Sequence, residues 1–204
     1  MATTATRDPI GMLSDALDQA GVIIARVGPD QATLPTPCRS WDVRALVNHV
    51  VQDVRFFAAR TSGETQSRPS NEDVIGDDWI GACHQAAKEL LAAWRAPGVL
   101  DRTLQLPIGE VPASWSVYQQ VSDLAVHAWD VAKATGQPTD HLDPELAELS
   151  LDWARQNLAP QFRGDEASGM AFGHEVPVSS DAPPYDRLAG FFGRDPADPT
   201  GAAP

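Results

Sequence analysis

Asp123 and His127 stand one helical turn apart in the stretch VSDLAVHAWDVAKATG (121–136), among Leu124, Ala125, Val126, Ala128, Trp129 and Val131. A carboxylate and an imidazole set into apolar surface must each be hydrogen-bonded, paired or bound to a metal, because desolvation is otherwise too costly. A second imidazole, His49, follows WDVRALVN and lies beside Asp42, Asp53 and Phe56 on a helix wheel, off the Leu46/Val50/Val54 face. At about 100° per residue, His49 and the Asp123/His127 pair both fall on the shoulder of a buried stripe. If their two helices are neighbours, His49, Asp123 and His127 can converge on one point. Three ligands from facing helices would hold a divalent metal and leave a position open for water or substrate. Taken alone, the D-x3-H spacing is a weak signal and better suits a structural imidazole bonded to its own Asp. Asp130, one turn after His127 on the same shoulder, is placed to orient a ligand or to pair with an arginine.

The elements that must position these residues follow from apolar periodicity. One helix is expected over about 9–27, with Leu13, Leu17, Ala20, Ile24 and Val27 on one face, before Gly28-Pro29 stops it. A second, over about 40–60, has Ser40 as a candidate N-cap and Asp42 at the positive end of the helix dipole. Its stripe is Val43, Leu46, Val47, Val50, Val54 and Phe57, and a polar loop is expected from 61 to about 72. A third, over about 77–96, spaces Trp79, Cys83, Ala86, Leu90 and Trp94 before Pro97-Gly98. The alternation and prolines of VLDRTLQLPIGEVPA (99–113) read as a short extended excursion, with a hairpin as one form. The fourth helix, over about 114–135, ends at Gly136 with Pro138 beyond it. DPEL starts a fifth, with Asp143 as cap and Pro144 at the first helical position, ending near Leu158. Residues 159–204 are expected to drape over the bundle around a short helix at YDRLAGFF, with disordered last residues. The expected fold class is all-α and the expected organisation a single domain over 1–204, with the helical bundle at about 9–158 and a C-terminal wrapping segment at about 159–204.

The length of 204 residues suffices for one domain with a real core. A formal charge of -13 without a Lys/Arg cluster repels phosphates, so no nucleic-acid partner is expected. No apolar run approaches the length needed to span a bilayer, and the N-terminus MATTATRDPIG lacks a signal-like h-region, so a cytoplasmic protein without a membrane partner is expected. Two cysteines fit a reducing compartment.

Other chemistry-bearing residues have plainer readings. Cys38 precedes the second helix, where the dipole and Arg39 would lower its pKa, but a small buried loop thiol is the simpler expectation. Cys83 falls on the Trp79/Leu90 stripe and reads as core. His84, His141 and His174 lack a partnered pattern, and Trp41, Trp94 and Trp115 read as core. Arg187 and Arg194 in DRLAGFFGRDP would hold an anionic substrate or tether the tail to acidic helices, and tethering is favoured. No phosphate loop, nucleophile elbow or Cys-x2-Cys pair is present.

The stretches TPCRSWDVRALVNHVV, LPIGEVPASWSVYQQVSDLAVHAWDVAKATGQP and DRLAGFFGRDP resemble an actinobacterial family of DinB-like metal-binding proteins related to mycothiol-dependent maleylpyruvate isomerase, with a likeness spanning most of residues 9 to 196. Its most specific elements are W-D-V-R-x-L-x-x-H and D-L-x-x-H-x-W-D, in that order. The resemblance implies a four-helix bundle holding a divalent metal, zinc above all, through His49, Asp123 and His127. It also implies a thiol cosubstrate, mycothiol or another low-molecular-weight thiol, and a small electrophilic substrate for thiol transfer or thiol-assisted isomerisation. The isomerase has Glu where this chain has Asp123, and it carries an α/β domain for which residues after 138 leave little room. Maleylpyruvate is therefore a poor substrate guess. The alternatives are a metal-dependent hydrolase, with Asp130 or Gln120 positioning water, and a non-catalytic metal- or ligand-binding bundle. A monomer or homodimer is expected.

Overall fold

The computed structural model describes residues 8–65, 72–164 and 172–198. Within these, the order is α1 (Pro9–Ala25), α2 (Val43–Thr61), α3 (Trp79–Trp94), β1 (Thr103–Leu106), β2 (Gly109–Pro112), α4 (Ala113–Ala134), α5 (Pro144–Asn157) and α6 (Pro184–Phe191), with 3-10 turns at Val99–Asp101 and Pro160–Phe162. The protein is mostly helical, with one small antiparallel hairpin. No helix among the described residues is long and apolar enough to cross a membrane. The expected disorder of the last residues, and most of the polar loop after 61, lie outside the described residues.

Helix starts are written locally. Asp8, Asp42, Asp78 and Asp143 each accept a hydrogen bond from a first-turn N–H, and Pro9 and Pro144 occupy the first helical turn, where a missing N–H costs nothing. Ser40 does not cap α2. The chain from 36 to 41 is instead a turn held by the Thr36 hydroxyl, which accepts from Cys38 N–H and lies 2.8 Å from the Trp41 carbonyl, so the helix begins only after Asp42. Helix α4 ends in a Schellman motif, with Gly136 at φ +69 and Gln137 N–H donating to the Ala132 carbonyl at 2.8 Å.

Helix α1 packs chiefly on α4 and α2 on α3, while α1 also meets α3 and α2 meets α4. Helix α4 further contacts α5, α6 and the hairpin. It is therefore buried on nearly all sides, from Ser116 and Gln120 on one flank to Trp129 and Asp130 on another. The wheel expected one stripe with His127 on its shoulder; α5 and α6 cover the remaining face of α4, and the Trp41 and His49 rings beside His127 leave it inside, 5% exposed. Helix α3 is the outer element. Only Ala86, Leu90 and Trp94 of its stripe are buried, so Trp79 and Cys83 are half-buried and not the core residues expected. Within the expected extended excursion, residues 103–112 form the hairpin, in register Leu104↔Val111 and Leu106↔Gly109, after the 3-10 turn at Val99–Asp101. Ala113 N–H donates to the Arg102 carbonyl at 2.9 Å, tying the hairpin's base to the first turn of α4. The C-terminal segment is fastened by side chains. The Trp129 indole donates to Asp186, Arg187 pairs with Glu148, and the Gln19 amide donates to the Tyr185 hydroxyl at 2.7 Å.

Candidate metal centre

Two helices and two loops bring the site together. His49 is presented by the middle of α2, and Asp123, His127 and Asp130 by successive turns of α4. The turn held by Thr36 delivers Trp41, whose ring lies on His49 with centroids 4.3 Å apart and planes at 31°. The His49 and His127 rings meet edge to face at 5.2 Å. One donor atom from each of His49, Asp123 and His127 lies within 4.8 Å of the other two. The His127 Nε2 to Asp123 Oδ1 distance is 3.7 Å. Tetrahedral zinc with bonds of about 2.1 Å needs donors about 3.4 Å apart, so these three are within small side-chain adjustments of a metal-binding arrangement. An N/N/O donor set from two helices fits a divalent metal.

Asp130 stands behind His127. Its Oδ2 accepts from Nδ1 at 3.0 Å, which leaves Nε2 facing Asp123 and His49. A carboxylate on the far nitrogen of a metal-binding imidazole fixes the ring and its tautomer. Burial pushes the His127 pKa down, but the charge of Asp123 and the hydrogen bond to Asp130 outweigh it and raise it well above the ordinary value. A metal bound at Nε2 must therefore displace a proton. Burial would likewise raise the Asp130 carboxyl, yet the Arg194 guanidinium and the His127 hydrogen bond hold it down at about 2.

Cys38, His127 and Asp130 form a second convergent group among the described residues. Arg194 already fills it. Its Nη2 lies 2.9 Å from Cys38 Sγ and 3.0 Å from Asp130 Oδ2, the place a second cation would need. The Cys38 thiol donates to Asp130 Oδ2 at 3.2 Å, and burial, outweighing the nearby guanidinium, pushes its pKa up. Helix-dipole activation of Cys38 is thus not what its surroundings produce.

A small slot opens beside the metal-facing atoms. Val50, Val54, Phe57, Leu90 and Leu124 give it apolar walls, and Asp53, Asp123 and Gln120 its polar atoms. Asp53 Oδ2 lies 3.7 Å from His49 Nε2. Both ends of the Gln120 amide are engaged: Oε1 accepts from the Trp94 indole at 3.1 Å and Nε2 donates to Ser116 at 3.1 Å. His141 is at the surface beside Asp140, and neither His84 nor His174 belongs to a metal-ligand group among the described residues. Sequence reasoning had Asp130 orienting a ligand or pairing with an arginine and Arg194 tethering the tail to acidic helices, but did not join the two. The one available signal was an arginine following Phe-Phe-Gly at the end of a short apolar helix, a position that returns a cation to the core.

The family model described as the mycothiol maleylpyruvate isomerase N-terminal domain matches residues 13–132. The chain belongs to this family. Family members of similar length include two uncharacterized proteins of Mycobacterium tuberculosis, from strains CDC 1551 and ATCC 25618 / H37Rv. Each is 40% identical over 191 residues, covering 92% of this chain and 98% of the relative. Among solved structures, the mycothiol-dependent maleylpyruvate isomerase matches with a TM-score of 0.59, and a point mutant of it with 0.60. Both are 14% identical and cover 80% of this chain and 72% of theirs, a likeness of fold alone. The matched residues include His49, Asp123, His127 and Asp130 and stop before Arg194.

Proposed function

We propose that this protein is a metal-dependent thiol transferase or thiol-assisted isomerase acting on a small electrophile in the cytoplasm, built as a single-domain, DinB-like four-helix bundle. The observation that carries the reading is the convergence of His49, Asp123 and His127 from two packed helices. Membership of a family named for a mycothiol-dependent enzyme supports mycothiol, or a chemically similar thiol, as cosubstrate. His49, Asp123 and His127 would hold the metal, with zinc the best match to two imidazoles and a carboxylate. Such a metal supplies local positive charge that favours the deprotonated form of an incoming thiol.

The chain's own residues do the rest. Asp130 keeps the Nδ1 proton on His127 and leaves Nε2 free to ligate. Trp41 covers His49 and limits water on that side. The half-exposed edge, where the His49 and Asp123 side chains are 21% and 22% exposed, is the route for the thiol and for the proton it gives up. The slot beside the ligands is lined by apolar side chains and carboxylates, with no Lys or Arg, so the charge at its mouth favours a neutral electrophile over a dicarboxylate. The hydrolytic alternative has less support, because Asp130 and Gln120, its candidates for positioning water, are both committed to other partners. Purified protein should contain metal and consume mycothiol against an activated alkene or epoxide, and His127→Ala should lose metal and activity together. Full thiol-dependent turnover by metal-free His127→Ala would refute the proposal.

A further inference from the structure

We infer that Arg194 is a positioning residue for the metal centre: through Asp130 it fixes the His127 ring with Nε2 aimed at the metal position, so the C-terminal segment completes a centre whose ligands come from α2 and α4. The inference rests on the metal reading of His49, Asp123 and His127.

The geometry is a relay of hydrogen bonds. Arg194 Nε donates to Asp130 Oδ1 at 3.2 Å and Nη2 to Oδ2 at 3.0 Å, a two-point fork that sets the plane of the carboxylate. Oδ2 of that plane receives His127 Nδ1 at 3.0 Å. Without the fork, the donors left to Asp130 are His127 Nδ1 and the Cys38 thiol, and both converge on Oδ2. A carboxylate held by one oxygen rotates broadly about its terminal torsion, and the imidazole loses its fixed partner.

The guanidinium is itself fixed. Nη1 donates to the Phe192 carbonyl at 2.8 Å, and the side chain is 10% exposed while that of Asp130 is fully buried. The backbone that delivers it is a Schellman motif at the end of α6: Arg194 N–H donates to the Ala189 carbonyl at 2.9 Å and Gly193 sits at φ +87. A Cβ at Gly193 would lie 2.7 Å from Gly173 Cα, so the turn also depends on a close backbone approach that only glycine permits. A simple tether would need none of this aim. Arg163 is such a tether: its Nη1 donates to the carbonyls of Phe191 at 2.7 Å and Gly173 at 3.2 Å, without a bond to Asp130.

The test uses the full chain with Arg194→Gln, Arg194→Lys and, as a tail-loosening control, Arg163→Gln. Three quantities are measured: zinc affinity by competition with a chromophoric chelator, the downfield NMR signal of the His127 Nδ1 proton in metal-free protein, and stability in urea. Arg194→Gln is expected to weaken zinc binding roughly 10 to 100-fold and to lose the Nδ1 signal to solvent exchange. Arg194→Lys, which keeps charge but not the fork, should fall between Gln and wild type, and it serves if the Gln variant does not fold. Arg163→Gln should lose stability while keeping both zinc affinity and signal. Wild-type affinity and signal in the Arg194 variants, or equal losses in the Arg194 and Arg163 variants, would overturn the inference. Failure of the wild-type protein to take up zinc would instead refute the metal reading, and the Nδ1 signal would still decide whether Arg194 holds the ring.

Discussion

Asp130→Asn is an isosteric change that should cost far more than its size suggests. In the native protein the carboxylate is fully buried and surrounded by donors: Arg194 Nε and Nη2, His127 Nδ1 and the Cys38 thiol. An asparagine must turn an NH2 group toward one of them and leave the guanidinium, 10% exposed, without its counter-charge. Breaking a buried pair from one side costs about 3–5 kcal/mol, against a total stability of about 5–15 kcal/mol. For a chain of this size that lowers the melting temperature by roughly 6 to 20 °C. Linkage gives the same order. With the carboxyl at about 2 in the folded protein against 3.8 unfolded, ionisation of Asp130 contributes about 2 kcal/mol. Because the folded pKa is depressed, that contribution is present above pH 3.8 and is lost as the pH falls toward 2. The assay is urea unfolding in chelator between pH 2 and 7. The variant should show an unchanged m-value, a lower midpoint at neutral pH and a shallower acid slope. Asp130→Asn combined with Arg194→Met should recover part of the loss, since the stranded charge is gone. A loss below about 1 kcal/mol at neutral pH, with wild-type acid sensitivity, would refute this view of Asp130.

Four further outcomes are expected. His127→Ala should abolish metal uptake while costing only about 1–3 kcal/mol of metal-free stability, because Asp130 keeps Arg194; this is checked by metal analysis and urea unfolding of one preparation. Burial pushes the Tyr185 hydroxyl up to about 12 from 10, so its neutral form is favoured by folding. Stability should fall by about 3 kcal/mol as pH rises from 10 to 12, a slope that Tyr185→Phe removes, read from alkaline unfolding curves. Burial also pushes the Cys83 thiol to about 11, so its alkylation rate should climb about tenfold per pH unit through pH 8–10, while buried Cys38 stays unmodified until the protein unfolds, as peptide mapping would show. Asp143→Ala should cost about 1 kcal/mol by removing the cap that accepts Glu145 N–H, measured by the same urea assay.

Much of this fold is legible where the determinants are local. Asp8-Pro9 and Asp143-Pro144 mark helix starts because a carboxylate and a first-turn proline satisfy the helix end within three residues, and Gly136 marks an end because a left-handed residue is needed there. The ligand candidates are legible for the same reason, since Asp123 and His127 share a helix face whatever packs around them. What is not local is not legible. Whether α4 shows one stripe or is buried all round depends on α5 and α6, and the wheel of α4 carries no mark of either. Cys83 shares its stripe with Leu90, yet nothing in α3 says that it is the outer helix. Ser40 and Asp42 are both good caps, and the choice was made by the turn at Thr36. Arg194 pairs with a carboxylate 64 residues away, and a single sequence has no pattern joining them.

The most direct measurement is an anomalous-scattering map from crystals of the purified chain, with metal content determined on the same sample. One divalent metal per chain is expected, ligated by His49, Asp123 and His127 Nε2, with Nδ1 still on Asp130 and a coordination position open toward the Val50/Phe57/Leu124 slot. A metal-free protein, or a metal lodged between Cys38 and Asp130 in place of Arg194, would contradict the central claim.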